Sequence, residues 1–182
     1  ARASGMLAEI AERQGEQESL ERHAIRAVEL GRESGRAEIV AANLVRLADL
    51  QIKASDPAKA EALLMEARTA AFGSNNPKLG LILQMRVAIL ARKRGDLDAS
   101  FALLDTGLKT SHALNLLQEM ADFYAELGTH HAAKGEREDA LSHWRAAREQ
   151  YESLGLKTKA KELAQLLKTP EEIAAERKPE PQ

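Results

Sequence analysis

The segment Ala54-Ser55-Asp56-Pro57 decides the fold. On its amino-terminal side Ile39, Val40, Leu44, Leu47, Ala48 and Leu50 recur at helical spacing, and on the other side Ala60, Leu63, Leu64 and Ala67 do the same. Apolar residues repeating every three or four positions mark amphipathic helices. Asp56 is placed to cap the free amides that open the second helix, and Pro57 suits the first helical position, where no amide hydrogen is needed. The segment is therefore the turn of a helical hairpin. Its glycine-like place recurs as Gly15, Ser55, Gly95 and Gly135, 40 residues apart, with the acids Glu16, Asp56, Asp96 and Glu136 following. Such a period marks a stack of supersecondary units that bury their apolar faces against neighbours.

A second row of stops keeps the register: Gly35, Asn75, Asn115 and Gly155. Gly and Asn tolerate the left-handed conformation that ends a helix, so each unit is predicted to hold two helices and two stops. Asn76-Pro77 then restarts the third unit as cap and first helical residue. Basic residues close the first helices (Arg13, Lys53, Arg92, Lys93, Arg94, Lys134) and acidic ones open the second, where the helix dipole favours each sign. Two columns stay small, Ala8/Ala48/Ala88/Gly128 and Ala27/Ala67/Gly107/Ala147. Small residues at fixed places let helices approach closely.

Composition sets limits. Apolar residues are 44% of the 182 but aromatics only 3%, so the core has to be built from closely packed Ala, Leu, Ile and Val. A net charge of −2 gives no general attraction to nucleic acid or to an acidic membrane surface. With no cysteine there is no disulfide, thiolate metal site or cysteine nucleophile. No uncharged apolar stretch approaches the roughly 20 residues of a membrane span, and a signal-peptide apolar region is missing from the start. A soluble cytoplasmic protein is expected. The opening Ala1, followed closely by Met6 and Leu7, suggests a segment of something longer.

The order Leu-Ala, Gly-Asp, then Ala, a large apolar residue and Ala resembles the tetratricopeptide repeat. Its fullest copy is Tyr124, Leu127, Gly128, Gly135, Ala140, Trp144 and Ala147. Four units fit over 1–155 (1–35, 36–75, 76–115 and 116–155), with the longer period of bacterial regulators and kinesin light chains. Leu20 and Ser100 replace a usual Ala, Gly107 is a helix-weakening glycine, and His131 stands where an aromatic is usual; each departure concerns packing in a single unit. The resemblance implies an all-α, right-handed α-solenoid. Residues 156–168, with Leu156, Ala160, Leu163, Ala164 and Leu167 on one stripe, read as a capping helix. Thr169-Pro170-Glu171-Glu172 predicts a short helix to about Arg177, and 178–182 a disordered tail.

If the units stack as in that family, the first helices line a concave groove. The partner-binding candidates are then Val45, Arg46, Asp49, Ile52, Met85, Arg86, Ile89, Arg92, Asp122, Ala125 and Thr129. Val45, Ile52, Met85 and Ile89 form an expected apolar strip for a peptide or amphipathic helix. Arg46 and Arg86 are candidates for an acidic ligand side chain, with pairing to Asp49 or Glu119 as the intramolecular alternative. The Lys/Asn clamp of chaperone-binding relatives is not matched, since Val45 and Asp49 occupy its places in the second unit.

Signals for chemistry are weak. His130 and His131 point about 100° apart on a helix and cannot share an ion; His23 and His143 are expected at the surface. No phosphate loop or nucleophile elbow occurs. No catalytic residue, cofactor or metal is therefore predicted. The expected function is a noncatalytic scaffold for a protein or peptide partner, with a sensor domain of a larger bacterial signalling or transcription-regulatory protein as the alternative. Homodimerisation through Met6, Leu7 and Ile10, which lack a preceding unit, is a further expectation.

Overall fold

The computed structural model describes residues 1–168. Among these the chain has an all-α repeat fold: α1 (Arg2–Gln14), α2 (Gln17–Glu33), α3 (Ala37–Lys53), α4 (Pro57–Ala71), α5 (Pro77–Lys93), α6 (Leu97–Ala113), α7 (Leu117–Lys134), α8 (Arg137–Ser153) and α9 (Lys157–Leu166). The short helix and tail expected after Lys168 lie outside the described residues. Two compact units divide the chain between Leu103 and Leu104. No helix among the described residues is long and apolar enough to cross a membrane.

In the first unit α1 packs on α2 and α3 on α4, while α2 meets α3 and α4 meets α5. The alternate helices α1, α3 and α5 also touch in succession. That arrangement buries one apolar cluster containing Ala8, Ala24, Val40, Leu44, Ala48, Leu64, Ala67, Leu83 and Leu90. In the second unit α7 packs on α8 and α8 on α9. Its core gathers Ala121, Ala147, Tyr151, Ala160 and Leu163, with Tyr124, Trp144 and Leu156 against them.

The stops lie where local chemistry puts them. Gly15, Gly95 and Gly135 take left-handed φ values of 74°, 85° and 80°, and Ser55 adopts 60° in the same place. Asp56 accepts the Lys59 amide at 3.1 Å, Asp96 the Ala99 amide at 3.0 Å and Asn76 the Leu79 amide at 3.3 Å. The capping bond holds the Asp56 carboxyl below its ordinary range. Of the second row, Gly35, Asn115 and Gly155 are left-handed. Asn75 is not. Here α4 stops at Ala71, Phe72 is extended and Gly73 makes the left-handed turn at φ 83°. Glycine has no Cβ to clash, so Gly73 takes the strained place. Asn75 falls in the longer connection leading to Asn76, whose amide donates to Ser74 Oγ at 3.2 Å.

The small columns are close-packing sites. Ala8, Ala48, Ala88, Ala27, Ala67 and Ala147 are all fully buried. A Cβ on Gly128 would overlap the indole of Trp144, and one on Gly107 would overlap the ring of Phe123. Ala48→Leu is therefore expected to lose about 1–3 kcal/mol of stability in a denaturant melt. An unchanged midpoint would show that α3 has room at this site.

Candidate functional site

The candidate residues lie on first helices of the hairpins, those of α3 and α5 in one unit and those of α7 in the other. The apolar strip expected there does not exist as an open surface. Val45, Ile52 and Met85 are buried, and Ile89 packs against the core. The reason is neighbour coverage: α3 is contacted by α1, α2, α4 and α5, so more of its circumference is enclosed than the face turned to its own hairpin partner.

What remains accessible is charge. Arg46 donates to Glu12 at 3.0 Å, joining α3 back to α1, and its guanidinium lies 3.9 Å from Glu9. Arg86 pairs with Asp49 at 2.6 Å, joining α5 back to α3. The side chains of Arg46 and Arg86 keep 20% and 26% of their surface exposed. Burial raises the Asp49 carboxyl above its usual value, opposed by the adjacent Arg86. Arg92, half-buried, closes the row in the last turn of α5.

On α7, Asp122 accepts the Tyr151 hydroxyl and the Lys159 ammonium, each at 2.6 Å. The same ammonium stands 5.2 Å from the Tyr151 ring centre, a cation–π distance. Burial and then Asp122 push the Tyr151 phenol well above its ordinary range, which keeps it a donor. Ala125 packs against the core of this unit, and Thr129 returns its hydroxyl to the Ala125 carbonyl at 3.0 Å. Asp49 and Arg86 are thus brought together, as are Ala125 and Thr129. Arg46 joins neither pair and is held by residues of α1.

Two features escaped sequence reading. One is a cleft of about 320 Å³ between α4 and α5, lined by Leu64, Met65, Val87 and Leu90 and edged by an Arg94–Glu61 pair at 2.7 Å. Val87 is 40% exposed there, whereas Leu47 and Leu127, 40 residues to either side, are buried. The other is a ring cluster. His143, expected at the surface, is half-buried, with its ring stacked on His131 at 5.0 Å and on Tyr124 at 6.0 Å. His131 thus fills an aromatic's place with another flat ring. His23 is half-buried as well.

No family model and no curated protein sequence matches the chain. Among solved structures it is similar to BtubC (BKLC) from P. vanneervenii, with 23% identity over 79% of this chain and a TM-score of 0.63. The match spans 61% of that protein's length, and at this identity the likeness is one of fold.

Proposed function

We propose that the chain is a tetratricopeptide-type scaffold, without chemistry of its own, that binds a peptide or helix of a partner protein on the face formed by its first helices α1, α3 and α5. The tetratricopeptide reading is supported by the fourth copy of the pattern. Gly128 admits the Trp144 ring, and Ala140 and Ala147 are buried against their neighbours, the places where that motif needs small residues. The binding reading is carried by one observation: partly exposed ion pairs, Glu12–Arg46 and Asp49–Arg86, cross from α1 to α3 and from α3 to α5. A half-shielded guanidinium bonds a carboxylate more strongly than a fully solvated one, and its planar donors fit a second carboxylate from a ligand. Recognition therefore rests on charge, with acidic side chains of the partner competing for Arg46 and Arg86.

The test is capture of partners from the native host, followed by affinity measurement with the purified partner for wild type and for Arg46→Gln with Arg86→Gln. The double variant is expected to bind about tenfold or more weakly while keeping wild-type helicity by circular dichroism. Equal affinity at equal helicity would move binding off this face. The α4–α5 cleft would then be the next surface to test.

A further inference from the structure

We infer that the α7–α8 hairpin holds a binding site for a divalent ion of the zinc class, built from His131, Glu136 and Asp139. The ligand atoms of the three lie within 4.8 Å of one another. A tetrahedral zinc site with bonds near 2.0–2.1 Å sets its donors about 3.4 Å apart, so modest side-chain rotations close the set. An imidazole with carboxylates selects zinc-like ions over magnesium or calcium, which prefer oxygen throughout.

The scaffold already holds these donors in place. His131 stands in the last turn of α7, Glu136 is the residue before α8, and Asp139 lies in the first turn of α8. Between them the Gly135 amide donates to the Ala132 carbonyl at 3.1 Å and the Glu136 amide to the His131 carbonyl at 2.9 Å. His131 Nδ1 and Glu136 Oε2 lie 2.7 Å apart, a hydrogen-bonded pair whose shared proton an ion would replace. His143 follows Asp139 by one helical turn on the same face of α8, and its ring stacks on that of His131 at 5.0 Å with a tilt of 11°, so it braces the imidazole instead of sharing the ion.

The repeat supplies an independent argument. At the places of His131 and Asp139 the third hairpin has Ala91 and Ala99, and the second has Gln51 and Lys59. The first has Ala11 and Ser19. Only the acid at Glu136 recurs in the repeat column, so His131 and Asp139 are particular to this hairpin. One group opposes the ion: Lys134 Nζ sits 2.6 Å from Glu136 Oε1. Its side chain is 39% exposed, which lets it swing into solvent when a doubly charged ion takes that carboxylate.

Calorimetric titration of the full, untagged chain with zinc sulfate tests the site. One ion per chain is expected, with affinity lowered about tenfold or more by Asp139→Asn and by His131→Ala, and unchanged by His23→Ala. Asp139 is exposed, so its variant keeps the fold even if His131→Ala disturbs the ring stack. Zinc at about a hundredfold excess over its dissociation constant should also raise the wild-type melting midpoint by about 5–10 °C. No binding by wild type, or binding equally strong in Asp139→Asn, would overturn the assignment.

Discussion

Replacing Phe123 by alanine is expected to remove about 3–5 kcal/mol of stability, enough to unfold a marginal domain. Phe123 is the largest fully buried side chain among the described residues. Its ring occupies the space that a Cβ at position 107 would need. Truncation loses both the transfer energy of the ring and the contacts of the walls left around the void, because a closely packed interior relaxes only in part. The reciprocal change, Gly107→Ala, forces the same ring outward at about 1–3 kcal/mol. One turn of the repeat earlier, the two places hold Ala67 and Leu83, both buried. Combining Gly107→Ala with Phe123→Leu should therefore recover part of the loss, so that the pair is less destabilising than the sum of its single changes. Urea melts of the four proteins measure this. Strict additivity, or a neutral Gly107→Ala, would show that the two residues do not share one space.

The second large effect is expected at Met85, which is buried at 5% exposure. Met85→Glu places a carboxyl in an apolar setting, where the charged form is disfavoured and the folded pKa rises above the usual ~4.3. A rise of about 3 units corresponds to roughly 4 kcal/mol lost at neutral pH. The sign follows from proton binding: the folded state holds the extra proton more tightly, so that loss is absent below about pH 4 and grows as pH climbs toward the raised folded value. Melting the variant against wild type at pH 4 and pH 7 reads the difference directly. A variant as stable as wild type at pH 7 would mean that Met85 is open to solvent after all. It would then return to the binding surface as part of an apolar strip.

Local chemistry made most of the fold legible. The stops at Gly15, Ser55, Gly95 and Gly135 and the caps at Asp56, Asp96 and Asn76 depend only on a few adjacent residues. Asn75 was misread because a period of 40 pointed to it while Gly73, two places earlier, met the same need without a Cβ. The binding face was less legible for a different reason. Periodicity gives the column of Val45, Ile52 and Met85, but how much of a column is covered depends on helices a whole repeat away. The partner of Arg46 illustrates the same limit, since Glu12 is 34 residues distant. The Asp49–Arg86 pair was legible as one alternative because both side chains fall on consecutive first helices. The donors around His131 mix imidazole with carboxylate, so a reading keyed to cysteines and paired histidines passes over them.

The exchange of glycine for ring also bears on how such a chain avoids assembling wrongly. Hairpins built to one pattern are near copies, and during folding a helix can settle beside the wrong copy, in the same chain or in another molecule. At the register of Gly128 and Trp144, the earlier units carry Ala48 with Leu64 and Ala88 with Leu104. An indole fits where a glycine faces it and is blocked by the extra methyl of an alanine. Gly107 with Phe123 marks the preceding junction in the same way. Two junctions of an otherwise repetitive chain thus carry their own address, which excludes swapped partners by volume alone.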